Sequence, residues 1–146
     1  MEVKGDYLFS GTADRVFDAL LDPEALKSCI PGCEKFEPVE TDVYSVTVKV
    51  GIAAVKGTYG GTVRLRDVQR PNQYTLQAEG TGGPGFVKAT AVMRLEPQGE
   101  KTMLHWTADA QVGGRAASVG SRMLGGVATH IANQFFKCLD GKVQAG

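Results

Sequence analysis

Two histidines, three cysteines and four tyrosines are the side chains of this 146-residue chain on which proton transfer, nucleophilic attack or metal binding could rest. Cys29-x3-Cys33 has metal-ligand side chains, but no second pair follows, and His105 and His130 lie far along the chain. Zinc needs four protein ligands, or three and a water, so no metal site is expected. The cysteines read as reduced thiols, with Cys138 buried or idle near the chain end. Gly80-Thr81-Gly82-Gly83-Pro84-Gly85 has the glycine density of a phosphate loop. It lacks the Lys-Ser/Thr ending and sits between two strand-like runs, where no helix N-terminus can hold a phosphate. It reads as a loop at a cavity mouth or as a plain hairpin. Acid–base chemistry would fall to His130, beside an apolar helical stripe, or to Tyr44 or Tyr59. A tyrosine at its ordinary pKa of about 10 is a poor base at neutral pH. No nucleophile, base and orienting acid can be grouped, so no catalytic residue is assigned.

The elements that hold these residues follow from period. Residues 2–10 alternate, with Val3, Gly5, Tyr7 and Phe9 on one face. Thr12 opens a short helix carrying Val16, Phe17, Leu20 and Leu21, and Asp22-Pro23 opens a second. The pair runs from about residue 12 to 28 and ends in the turn Ile30-Pro31-Gly32-Cys33. Strands are expected over 33–39, 42–54, 56–70, 73–80, 86–96 and 101–112, with connections short enough for antiparallel pairing. From about 116 to 140 the period turns helical. Val119, Met123, Leu124, Val127, Ile131 and Phe135 form the apolar stripe, Phe136 falls nearly opposite Met123 and Val127, and Gly141 marks the stop. The expected fold class is α+β: a curved seven-stranded antiparallel sheet wrapped around a long C-terminal helix, with two short helices after the first strand. Residues 1–140 form one domain and 141–146 a short polar tail.

The inward side chains are unusually small. Strand alternation points Tyr74, Leu76, Ala78 and Gly80 inward, then Val87, Ala89, Ala91, Met93 and Leu95, then Ala108 and Ala110 between Trp106 and Val112. Alanines cannot fill the volume a long curled sheet encloses, and protein interiors are close-packed. Either the helix approaches closely, helped by Gly120, Gly125 and Gly126, or a cavity remains. The expected cavity is apolar and lined by Phe17, Val46, Val48, Tyr59, Leu76, Phe86, Ala91, Met93, Trp106, Met123 and Val127, a surface that adapts to a flexible ligand. The adjacent pair Gly125-Gly126 invites a kink, which over a cavity would act as a gate. Gly57 and Gly60-Gly61 mark bends in the sheet.

Composition narrows the function. Sixteen Lys and Arg balance sixteen Asp and Glu, so a nucleic-acid partner is not expected. No apolar run reaches the ~18 residues of a membrane span. The opening MEVKGDYLFSG has acids where a signal peptide has a basic start and an apolar run. A cytoplasmic protein is expected.

The element order resembles the helix-grip fold of the START proteins, birch-pollen allergens and polyketide cyclases. Asp22-Pro23-Glu24 with Leu26, Ile30-Pro31-Gly32-Cys33, Gly80-x-Gly82 with Gly85, Gly113 and Phe135-Phe136 resemble, more narrowly, the carbon monoxide dehydrogenase G-subunit family. That resemblance spans about residues 2–140. It implies a non-enzymatic accessory protein of an aerobic molybdenum CO-dehydrogenase-type system, helping to link the dehydrogenase to the membrane and its quinone pool. The cavity would then suit a quinone or lipid, with no other cofactor. Family members often carry a C-terminal extension thought to reach the membrane, whereas residues 141–146 are short and polar, so three expectations stay open: a soluble member, peripheral contact at the inner membrane face, or a tail that has been lost. Two other readings follow from the fold: a cyclase- or dehydratase-type enzyme, and a protein-binding assembly factor anchored through an exposed Phe136.

Overall fold

The computed structural model describes residues 1–52 and 55–145. The chain runs β1 (Glu2–Phe9), α1 (Ala13–Leu21), α2 (Pro23–Cys29), β2 (Cys33–Glu40), β3 (Val43–Val50), β4 (Gly57–Gln69), β5 (Gln73–Gly82), β6 (Gly85–Gln98), β7 (Lys101–Gly113), a 3-10 segment (Gly114–Val119) and α3 (Ser121–Ala145). The strands form one antiparallel sheet in the order β1-β7-β6-β5-β4-β3-β2. Short connections dictate the meander, and β1 extends it by pairing onto β7, so that β1 and β2 are the two edges of an open sheet. Asp22 caps α2, accepting the Glu24 N–H at 3.1 Å, with Pro23 in the first helical turn.

The sheet coils tightly where it is rich in glycine. A Cβ at Gly61 would run into the Glu79 carbonyl, and one at Gly82 into that of Thr58. Only glycine permits that approach. The edge strand β2 is short, bulged on both sides of Lys35–Pro38, and carries Glu34, Glu37, Pro38 and Glu40.

Register sorts the concave face into rows. One row is Tyr74, Met93, Trp106 and Gly5, and the next is Leu65, Leu76, Ala91, Ala108 and Val3. Then come Tyr44, Val63, Ala78, Ala89 and Ala110, and last Val46, Gly61, Gly80, Val87 and Val112. Side-chain bulk therefore falls steadily from the β4–β5 end of the sheet toward the β5–β6 hairpin. At the bulky end α1 completes the core: Phe17 packs edge-on against Tyr74 with ring centroids 5.7 Å apart, beside Leu20, Leu95 and Leu104.

The C-terminal helix lies in the concave face, but it starts later and ends later than its sequence period indicates. Residues 114–119 form the 3-10 segment, and α3 runs through Gly141 to Ala145. Val143 is buried against Gly11 and its carbonyl accepts from Arg15, so tertiary contact carries the helix past its glycine. The expected exposure of Phe136 is also wrong. Its ring is buried among Tyr7, Phe9 and Trp106, because the inner face of α3 is the row Leu124, Ala128, Ala132, Phe136 together with the row Val127, Ile131, Phe135, Leu139. Nor are all three cysteines reduced: Cys29 and Cys138 form a disulfide between α2 and α3, whose Cα atoms lie 5.4 Å apart, leaving Cys33 free. The strand expected over 42–54 ends at Val50, and residues 53 and 54 lie outside the described residues.

Candidate functional site

The two ends of the concave face are packed differently. At the α1 end Phe9, Val16, Phe17, Leu20, Tyr74 and Leu104 are fully buried. Toward the β5–β6 hairpin every inward residue of the small rows past Tyr44 and Val46 is only half-buried: Val63, Ala78, Ala89 and Ala110, then Gly61, Gly80, Val87 and Val112. Facing them, Leu124, Val127, Ala128, Ile131 and Ala132 of α3 are half-buried too. The backbone of α3 packs on β1, α1 and α2, with no contact of similar extent to β4, β5 or β6. The apolar side chains between the first half of the helix and the small-residue part of the sheet are thus incompletely covered, a shallow hollow in the packing. Gly125 and Gly126 do not bring it closer, since a Cβ at either meets nothing within 4 Å. The close-approach reading of these glycines fails, and the pair does not break the helix either.

The residues expected to line a cavity fall into three groups. Phe17, Val46, Ala91, Met93 and Trp106 are buried, with Phe17 deep in the solid core. Val48, Tyr59, Leu76 and Val127 are half-buried at the hollow. Phe86 and Met123 stand outside it, 41% and 54% exposed. Strand parity explains Phe86: Val87 and Ala89 point inward, so Phe86 points outward, and its ring covers the space a Cβ would take at Gly113. Met123 lies off the inner rows in the first turn of α3. Val63, Ala128 and Ala132 belong to the hollow and were missed. Counting alanine as apolar at i, i+4 from Leu124 would have found the last two and Phe136.

Polar chemistry inside is sparse. The Tyr59 hydroxyl donates to the Val55 carbonyl at 2.8 Å, and burial pushes its pKa up. The Trp106 indole Nε1 is buried without a hydrogen-bond partner among the described residues. A Cβ on Gly5 would lie 2.9 Å from it, so only a glycine fits opposite the indole. His130 is exposed on α3, away from the hollow's lining. His105 lies on the convex face between Asp6, 2.6 Å from Nδ1, and Glu96, 3.6 Å from Nε2. Asp67 is exposed, at positive φ beside a bulge. Among the described residues no three His, Cys, Asp or Glu side chains gather as metal ligands. Gly83-Pro84 is a tight hairpin turn between β5 and β6, and the Ala116 N–H of the 3-10 segment docks on the Pro84 carbonyl at 2.8 Å. A depression on the convex face, lined by Gln77, Glu79, Lys88, Thr90, Asp109 and Gln111, is polar and solvated. It offers nothing to an apolar ligand.

A curved antiparallel sheet gripping a C-terminal helix, with two short helices after the first strand, defines the helix-grip class of START- and cyclase-like proteins. Two solved structures of that class share the fold. A START superfamily protein from Mycobacterium smegmatis aligns over 99% of this chain and 97% of its own, at 16% identity and a TM-score of 0.75. The ZhuI aromatase/cyclase of a Streptomyces species aligns over 99% and 93%, at 18% identity and a TM-score of 0.74. A conserved protein from Geobacillus kaustophilus is much more similar, at 40% identity and a TM-score of 0.97 over 99% of this chain and 96% of that one. Residues 5–144 match the carbon monoxide dehydrogenase G-subunit (CoxG) family, and the chain belongs to it. No functionally curated protein matches the sequence.

Proposed function

We propose that this protein is a non-enzymatic carrier, holding an apolar or amphipathic small molecule between the small-residue rows of the sheet and the first half of α3. The observation that carries the reading is the half-burial of apolar side chains that all face inward. Apolar surface left uncovered inside a fold costs about 25 cal/mol per Å², and a greasy guest would recover it. The sparse polar chemistry supports carriage over catalysis: Tyr59 is held by a backbone carbonyl with its pKa moved away from neutrality, and His130 is turned to solvent.

Membership of the family supports a finer reading, which we propose with it. The ligand is a quinone, the partner a molybdenum hydroxylase-type dehydrogenase, and the contact with the membrane peripheral. Among the described residues no helix is long and apolar enough to cross a membrane. The test is solvent extraction of the purified protein followed by mass spectrometry, with uptake of a short-chain quinone measured in parallel. Both should find a lipophilic ligand in the wild type. Ala89→Trp places an indole in the row Ala78-Ala89-Ala110 and should abolish uptake while the chain stays folded by circular dichroism. A folded Ala89→Trp protein that still binds would overturn the placement of the ligand. A wild type that neither retains nor takes up any lipophilic compound would overturn carriage itself.

A further inference from the structure

We propose that the first turns of α3, Ser121–Gly126, form a gate over the hollow that opens by unwinding between Gly120 and the Gly125-Gly126 pair. The ties of α3 to the rest of the fold are gathered in its second half. Cys138 is bonded to Cys29, Asp140 accepts the Ser10 N–H at 2.9 Å and lies against Tyr7, and the Val143 carbonyl accepts from Arg15. Phe136, Leu139 and Val143 are buried there. Among the described residues, no side chain from Ser121 to Gln134 makes a hydrogen bond, ion pair or disulfide to another element, and none is fully buried.

The segment is bounded by residues that let it move. On its N-terminal side the 3-10 segment is fixed to the β5–β6 hairpin through buried Ala116, and Gly120 follows with φ +88°. On its C-terminal side stand Gly125 and Gly126, the poorest helix formers after proline. With open space around all three glycines, packing gives no reason for their small size. Leu124, between the pivots, is half-buried and belongs to the inner row over the hollow. Unwinding one turn would lift it and expose the apolar space, while the disulfide and Asp140 hold the rest of the helix in place.

The gate rests on the carrier reading for its purpose, but its motion is measurable without a ligand. Amide hydrogen exchange of the wild type should be fast over 121–127 and slow over 136–143. Gly125→Ala/Gly126→Ala should slow the first region and leave the second unchanged. In stopped-flow mixing with the neutral fluorescent probe N-phenyl-1-naphthylamine, the double variant should show uptake and release both slowed by roughly tenfold, with Kd within about twofold of wild type, as gating requires. Gly141→Ala is the control, since it lies on the same helix in equally open space but within the anchored half. Its rates should match the wild type. Uniform protection along α3, unchanged probe kinetics in the double variant, or equal slowing by Gly141→Ala would each overturn the gate. A wild type that binds no probe yet shows the exchange gradient would overturn the carrier reading and leave the hinge standing.

Discussion

Tyr74 shows how burial alone gives one side chain a pH dependence. It is almost wholly enclosed, in edge contact with Phe17, and burial pushes its phenol far above the ordinary value. Burial also raises the pKa of Tyr59 and Tyr7, and for Tyr7 the Asp140 carboxylate adds to the effect. A phenol with a raised folded-state pKa keeps its proton longer in the folded than in the unfolded chain. Its stabilising effect is complete below about pH 10, the unfolded value, and is lost as pH climbs further, for the fully buried Tyr74 by up to about 1.4 kcal/mol per pH unit. Denaturant unfolding between about pH 9 and pH 11 should therefore show falling stability, with Tyr74→Phe flattening most of the slope. An unchanged slope in Tyr74→Phe would shift the cause to the other two phenols. The residue scale is also where sequence reasoning was most uneven. The alternation of β5, β6 and β7 placed the inward alanines, but the same parity excluded Phe86, whose size had drawn it into the lining.

The element whose sequence misled most is α3. Its largest apolar residue near the start, Met123, pulled the apparent stripe toward one side, whereas the true inner face is centred on alanines. Periodicity weights bulk, but helix orientation here is set by which residues clear the sheet and by ties far from the first turn. None of those ties could be read locally. The Cys29–Cys138 bond joins residues 109 apart in sequence, and Asp140 meets Ser10 across 130 positions. By contrast, the strand boundaries and the Asp22-Pro23 helix start were legible, because turn chemistry and period act over a few residues. Closing so long a loop restricts the unfolded chain, and removing such a disulfide costs typically about 2–4 kcal/mol. Cys138→Ser should lower the unfolding free energy by about that amount, measured in urea under non-reducing conditions, and reductant should do the same to the wild type but not to the variant. The pair Gly125-Gly126 adds a further cost of roughly 1 kcal/mol per glycine relative to alanine, concentrated in the half of the helix that has no ties.

At the scale of the whole molecule, the fold is a gradient: aromatic bulk at the α1 end, alanine and glycine rows at the hairpin end, and one helix bridging the two. The sheet could be read from the sequence because seven antiparallel strands leave few topologies open. The shortage of inward bulk was legible in the side-chain volumes, because strand parity alone assigns the inward alanines and glycines. An open sheet is exposed to a particular hazard, namely that an edge strand recruits another copy and seeds a fibre. The acidic, proline-bearing, twice-bulged β2 answers it: Glu34, Glu37 and Glu40 repel an incoming strand, and Pro38 removes a donor the ladder would need. Converting Glu37 and Pro38 together to valine should leave the folded monomer nearly intact yet produce thioflavin-positive assemblies on prolonged incubation; a variant that stays clear and monomeric would show that the twist of the strand suffices. The run of acids along β2 is, on this view, what lets an open sheet present a free edge to solvent without polymerising.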